Sequence, residues 1–225
     1  MRHRYLAFLT LLMALGACKK SSDNATVVVA DKYMSNTAAS TWQMRLTDNS
    51  TATVTNYTVT STNRDSTINS KAYHVFTNSS TGVNEYFFIS GNDYYTFRTL
   101  GLTLGSAQVE TIYLKDNSPA GTTWNQTVNL TVPAIPFPVP VTLTYTLAEK
   151  GISRTVNGVA YTNVIHMTMA ISSSIIPAAN LTTDIQSYYA PKFGLIENTN
   201  KVNLNYSGFV QNTDTKTILL SADIK

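Results

Sequence analysis

Charged side chains are scarce in this sequence, because Asp, Glu, Lys and Arg make up 13% of its 225 residues. An average soluble domain carries about twice that fraction. The net charge of +3 is also small, and the basic residues are spread along the chain. Nucleic-acid binding proteins concentrate positive charge on one surface. We therefore expect no nucleic-acid partner.

Cysteine is nearly absent as well, since Cys18 is the single cysteine of the chain. One cysteine excludes a disulfide framework and a cysteine-rich zinc or iron–sulfur site. Helix-forming Glu and Lys are also scarce, with 4 and 10 copies, which argues against a helical bundle and a coiled coil. We expect neither a cofactor nor a metal.

Threonine is abundant, with 34 copies, and together with Tyr and Val it favours strands. Short runs of this type are separated by turn residues at intervals of roughly ten residues, which is typical of antiparallel sheets. The pattern predicts an all-β chain with a single antiparallel domain, either a curved sheet or a partly closed barrel, and a β-sandwich is the alternative. The candidate strands are 51–60, 85–89, 94–97, 128–132, 141–147, 159–169, 202–206 and 217–224. A hairpin turn is predicted at Ser90–Asp93, and residues 177–189 are the single candidate helix.

The first residues have the form of an export signal. Arg2 and Arg4 precede an apolar run of eleven residues, Tyr5–Leu15, which is shorter than the roughly 20 residues of a transmembrane helix. The run ends in Leu15-Gly-Ala-Cys18, which resembles a bacterial lipobox. The resemblance implies cleavage before Cys18 and acylation of that cysteine, so that the membrane is a partner through the lipid.

These features divide the chain into a signal peptide (1–17), an acylated cysteine with its tether (18–34) and a β domain (35–225). Several acyl chains anchor a protein stably, whereas one chain binds reversibly. Lys19 follows the cysteine where an inner-membrane retention signal would have aspartate. We therefore expect a lipid anchor in the outer membrane, with the domain on either the periplasmic or the surface side.

A weak internal duplication divides the β domain into two related halves, about 35–116 and about 117–225. Residues 57–74 align without gaps on residues 145–162, and six of the eighteen positions are identical. Trp42 and Trp124 lie upstream of the two segments. The pattern predicts a strand, a turn at Asn69-Ser70 or Asn157-Gly158, and a returning strand in each half.

The Thr-Trp start, the Tyr-Thr-Val strand and the Asn-Gly-x-x-Tyr hairpin resemble a broad group of bacterial lipoproteins, mostly from Bacteroidota. Residues 114–124, 189–196 and the terminal KTILLSADIK fit the same group. The resemblance implies an exported all-β domain and implies no activity, because the group has no established one.

Residues suited to catalysis are few. His74 and His166 remain after removal of the signal peptide, and His166 lies in an alternating strand between Ile165 and Met167, where an ordinary sheet-face role is favoured. No nucleophile motif or H-E-x-x-H zinc motif accompanies them. A hydrolase could use two carboxylates that face one cleft. The acidic residues available are Asp65, Glu85, Asp93, Glu110, Asp116, Glu149, Asp184, Glu197 and Asp214.

The most unusual segment is Val132–Val141, in which prolines alternate with apolar residues. Proline cannot donate to a sheet, so this segment is predicted to connect two strands. It is either a stiff loop that caps the core or an exposed apolar contact loop formed by Ile135, Phe137 and Val139.

The sequence therefore favours a lipid-anchored envelope protein of the binding or scaffolding type, without enzymatic activity. Its partner would be an apolar small molecule held in the curved sheet, a glycan or an envelope protein. The alternative is an envelope hydrolase that uses a carboxylate pair.

Overall fold

The structure is a computed structural model that describes residues 32–102, 105–131 and 137–225. Twelve antiparallel strands form one sheet that is nearly closed into a barrel. The all-β prediction with a partly closed sheet is confirmed, and the β-sandwich alternative is wrong because the strands form a single sheet. The strands are β1 Thr41–Asp48, β2 Thr53–Ile68, β3 Lys71–Asn78, β4 Asn84–Ser90, β5 Asp93–Leu102, β6 Gly105–Lys115, β7 Thr123–Leu130, β8 Val139–Val156, β9 Val159–Ser173, β10 Leu181–Ala190, β11 Gly194–Tyr206 and β12 Phe209–Asp223.

The order of the strands in the sheet follows the order of the chain. Consecutive strands pair with each other except β6 and β7, and β1 pairs with β12, so that Thr41 lies opposite Asp223. The two edges of the sheet are β6 and β7.

The edges meet along a seam between β6 and β7. One isolated bridge joins Ser106 to Thr131. Further along, the indole N–H of Trp124 donates to the carbonyl oxygen of Ile112 at 2.8 Å, and the amide of Gln126 donates to the carbonyl oxygen of Glu110. Side chains of β7 thus satisfy backbone groups of β6 that would otherwise form an open edge.

The local sequence explains the strands. In the first half of β8, every second side chain from Val139 to Leu147 is buried, and the threonines between them are partly exposed. A period of two places one set of side chains on one face of the sheet. The tight turns between long strands are built by residues that tolerate positive φ, such as Asn157 (49°) and Gly158 (80°), as predicted. The predicted hairpin turn at Ser90–Asp93 joins β4 to β5 and is confirmed.

Two sequence predictions are wrong. Residues 177–189 do not form a helix, because a short 3-10 turn at Ala178–Asn180 leads into β10. The side chains of Leu181, Ile185 and Tyr188 in that strand are buried in the core. The alternation within 217–224 predicts that Ile218, Leu220, Ala222 and Ile224 share one face of the sheet. A bulge in β12 opposite Gln43 and Met44 shifts this alternation, and Leu219 is buried instead.

The two predicted halves each contain six strands, β1–β6 and β7–β12. Trp42 lies in the first strand of its half and Trp124 in the first strand of the other. The strand pairing differs in register between the two halves. Trp42 lies opposite Val59, whereas Trp124 lies opposite Tyr145, which the internal alignment matches to Tyr57, two positions before Val59. A common origin of the halves stays a prediction.

The end of the predicted tether contacts the β domain. The backbone N–H of Tyr33 donates to the hydroxyl of Tyr94 at 3.0 Å, and the hydroxyl of Tyr33 donates to the carbonyl of Asn163 at 2.6 Å. Lys32 donates to the carbonyl of Gly91. The chain therefore joins the sheet at the end that carries the β4/β5 and β8/β9 turns.

Trp124→Phe should open the seam, because it removes the indole N–H that bonds Ile112. We expect faster hydrogen exchange of the β6 and β7 amides and a loss of about 1 kcal/mol in the free energy of unfolding. The matched control is Trp42→Phe, which removes an equivalent 2.8 Å bond to the carbonyl of Phe193. Equal exchange at the seam in both variants would contradict this account.

Candidate functional site

A cavity lies against the inner face of the sheet, which we define as the face that carries Phe87, Tyr113 and Tyr145. Its volume is about 770 Å³, and its lining comes from both six-stranded halves. Small-molecule sites occupy roughly 300–1,000 Å³. The cavity is therefore large enough for a small organic ligand.

Aliphatic and sulfur-containing side chains form most of one wall. Met167, Met169 and Ile171 project from β9 at alternate positions, and Ile185 of β10 lies opposite Met169. Met167, Ile171 and Ile185 also belong to the larger of the two hydrophobic clusters. Methionine adapts its shape to irregular partners, so this wall suits a flexible apolar ligand.

Aromatic rings line the opposite part of the cavity. Tyr113 of β6 contacts Phe87 edge-on and Tyr189 of β10, with ring centroids 6.0 and 5.5 Å apart. Burial raises the pKa of Tyr113 well above its ordinary value and that of Tyr189 to about 12. Both phenols are therefore neutral at physiological pH.

The hydroxyl of Tyr145 is an exception among the polar groups of the site. Tyr145 lines the cavity, is 4% exposed and stacks on Trp124 at 5.8 Å. Its hydroxyl has no hydrogen-bond partner in the described part of the chain. A buried hydroxyl without a partner costs about 1–3 kcal/mol.

The cavity opens near one end of the sheet. Val83 both lines the cavity and is 59% exposed. The described connections at this end are 49–52, 79–83, 137–138, 174–180 and 207–208, and they contain no Asp, Glu, Lys or Arg. We call it the uncharged end.

Exposed apolar side chains concentrate at the uncharged end. Of the large hydrophobic residues exposed in the described ranges, Val83, Phe137 and Ile175 lie on its connections, and Val54 and Val210 are two residues from them. Val159 lies at the opposite end. Five of the six exposed large hydrophobic residues of the described ranges thus lie on or near the connections of one end of the sheet.

The predicted apolar contact loop is only partly of this kind. Phe137 is 58% exposed, whereas Val139 is fully buried at the start of β8 and cannot contact an external partner. The prediction that Val139 belongs to an exposed contact loop is therefore wrong, because β8 begins at this residue and turns its side chain into the core. Ile135 lies outside the described residues, as does Cys18.

A hydrogen-bonded line of Ser61, His74 and Asp65 was not predicted. The hydroxyl of Ser61 lies 2.9 Å from Nε2 of His74, and Nδ1 of the same ring lies 3.0 Å from Oδ1 of Asp65. A register shift in β2 between Ser61 and Asp65 brings both onto His74. Sequence spacing alone did not reveal this shift.

The hydroxyl of Ser61 is too buried to act as a nucleophile on a substrate. Ser61 is 1% exposed, its N–H donates to the carbonyl of Ser40, and its own carbonyl accepts from Ala39. Acyl transfer requires an exposed hydroxyl and free N–H donors for the oxyanion. These residues therefore stabilise the β2 bulge.

His166 also binds a carboxylate at a bulge. Its Nδ1 lies 2.9 Å from Oε2 of Glu149, and its ring stacks on Tyr188 at 4.3 Å. The guanidinium of Arg154 lies 3.4 Å from the centre of the Tyr188 ring and bonds Glu197 at 2.7 Å. The surroundings are those of a packed sheet face.

The carboxylates whose pKa departs clearly from the ordinary value all shift downward. Burial raises the pKa of Glu110 and Glu197, but hydrogen bonds from Lys71 and Tyr73 and from Arg154 and Lys216 outweigh it. Asp48 and Asp214 are lowered mainly by hydrogen bonds from Ser50 and Asn49. A general acid requires a raised pKa, so these four do not support a carboxylate-pair hydrolase.

The described ranges show neither a cluster of metal ligands nor a membrane-spanning helix. They contain no group of three or more His, Cys, Asp or Glu side chains that could hold a metal ion. Nor do they contain a helix long and apolar enough to cross a membrane.

The site defines an all-β domain with an apolar cavity inside a nearly closed sheet. No protein family and no curated protein matches the sequence. Among solved structures, the chain is similar to a proposed lipoprotein from Parabacteroides distasonis, with 10% identity, a TM-score of 0.48, and coverage of 86% of this chain and 99% of that one. It is also similar to a proposed exported protein with a YmcC-like fold from Bacteroides fragilis, with 9% identity and the same TM-score and coverage.

Tyr145→Phe should stabilise the empty protein. The substitution removes a buried hydroxyl that has no partner and keeps the ring that stacks on Trp124, so we expect the free energy of unfolding to rise by about 1 kcal/mol. Urea denaturation measures the change. The matched control is Tyr94→Phe, which should destabilise, because the Tyr94 hydroxyl donates to Asp116 at 2.7 Å. A loss of stability in Tyr145→Phe would show that its hydroxyl is bonded.

Proposed function

We propose that this protein is a lipid-anchored envelope protein that binds an apolar small molecule inside its curved sheet, without enzymatic activity. The observation that carries the proposal is the cavity of about 770 Å³, whose lining combines the apolar Met167, Met169 and Ile171 with polar residues such as Asn198 and Asn200. Binding sites of this kind are mostly apolar with a few polar groups that orient the ligand.

The uncharged end supports a ligand that comes from a lipid phase. The cavity opens beside Val83, and Phe137 and Ile175 are exposed on nearby connections of the same end. Contact of Val83, Phe137 and Ile175 with lipid would bury apolar surface without burying a charge on these side chains. These exposed apolar side chains favour a small apolar ligand over a glycan.

The position of the tether fits this arrangement. Lys32 and Tyr33 join the sheet at the end opposite to the uncharged end. The mouth of the cavity beside Val83 therefore lies away from the contacts that Lys32 and Tyr33 make. We propose the outer membrane as the location of the anchor, because Lys19 rather than aspartate follows the cysteine.

Met169→Trp should block the cavity. The larger side chain fills space beside Met167 and Tyr145, so we expect binding of the apolar fluorophore N-phenyl-1-naphthylamine to weaken by about tenfold or more. The control is Val159→Trp, which adds the same ring at an exposed turn at the opposite end. Circular dichroism verifies that both variants are folded. Undiminished binding in Met169→Trp, or no binding by the unaltered protein, would contradict the proposed function.

Cys18→Ala should abolish acylation. In cells that are fed an alkyne fatty acid, we expect the unaltered protein to incorporate the label and the variant to lack it, because Cys18 is the single cysteine. The matched control Ser21→Ala alters the tether beside the cysteine and should leave labelling intact. Equal labelling of Cys18→Ala and the unaltered protein would refute the lipid anchor.

A further inference from the structure

We propose that the cavity holds a single-chain amphiphile with an anionic headgroup, which Arg98 binds while the chain lies along Met167, Met169 and Ile171. This inference rests on the proposed function, because it assigns the ligand class of the same cavity.

Arg98 is a charged residue on a face that is otherwise buried. In β5 it alternates with Thr96 and Leu100, which are both buried on the inner face, and it lies opposite the buried Val109 of β6. Arg98 is itself exposed and lines the cavity. Its guanidinium is therefore placed where the apolar cavity meets water.

The charge of Arg98 is not neutralised by contact. Among the described lining residues, Arg98 is the cation and Glu85 the carboxylate, and no ion pair joins them within 4.0 Å. Glu85 instead accepts a hydrogen bond from Nδ2 of Asn78 at 2.7 Å. A planar guanidinium binds a carboxylate or phosphate through two parallel N–H donors. Arg98 thus offers an anion a pair of donors that the fold does not use.

The remaining lining suits one hydrocarbon chain. Met167, Met169 and Ile171 form a continuous row on β9, and Val202 on β11 and Leu100 on β5 face the same cavity. The headgroup would stay near water at Arg98, and the chain would be removed from water along this row.

The test compares three competitors of equal chain length: dodecanoate, dodecyl phosphate and the neutral 1-dodecanol. Each is used below its micellar concentration to displace N-phenyl-1-naphthylamine from the full chain. We expect at least one of the two anions to displace the fluorophore at about tenfold lower concentration than the alcohol. The anion that does so identifies the headgroup as a carboxylate, as in a fatty acid, or as a phosphate, as in a lysolipid.

Three variants locate the headgroup. Arg98→Gln should weaken binding of the preferred anion about tenfold and leave 1-dodecanol unchanged, and Arg98→Lys should restore part of the loss because it keeps the charge without the paired N–H donors. Glu85→Gln should strengthen anion binding, because it removes a nearby negative charge.

The outcomes separate the inference from the proposed function. Equal displacement by all three competitors, or a preference for anions that survives in Arg98→Gln, would overturn the anionic headgroup and leave an apolar-ligand protein. Failure of the unaltered protein to bind the fluorophore and every competitor would overturn both.

Discussion

The pairing of β1 with β12 is the interaction on which the rest of the structure depends. The other ladders of the described sheet join strands that follow one another in the chain, whereas this one brings Thr41 beside Asp223. Contacts between residues so distant in sequence carry a large loop-closure cost. Without this ladder, the chain would form two separate six-stranded sheets with open edges.

The cavity is a consequence of that pairing. Arg98 and Leu100 belong to the first six strands, and Tyr145, Met167 and Met169 belong to the last six. Neither half encloses the space by itself. The side chains that close the β6/β7 seam complete the arrangement, because Trp124 bonds β6 with its indole N–H and stacks on Tyr145 with its ring.

Alternation along single strands could be predicted from the sequence, because it depends on local pattern alone. The first half of β8 is an example, since its Val, Leu and Tyr residues alternate with Thr. Where bulges interrupt the pattern, prediction failed, as at Leu219, because the inserted residue is set by the partner strand. The helix expected at 177–189 failed for a related reason, since pairing with β9 and β11 makes Leu181–Ala190 a strand.

The residues of the site could not be predicted from local sequence patterns for the same reason. An apolar ligand in a curved sheet was expected, but not its lining, because Arg98 and Tyr145 are 47 positions apart in the chain. Their positions in the lining of one cavity depend on the register of several strands. The Ser61–His74–Asp65 line likewise exists because β2 shifts register by a bulge.

Native mass spectrometry of the full chain, purified from its own cells without added lipid, tests the central claim most directly. The account predicts an additional mass that is lost on collisional activation, is recovered by organic extraction and is distinct from any covalent lipid on Cys18. In Met169→Trp that mass should be absent. The account would be contradicted if the protein carries no such noncovalent ligand and also binds none when it is incubated with the cell's lipid extract.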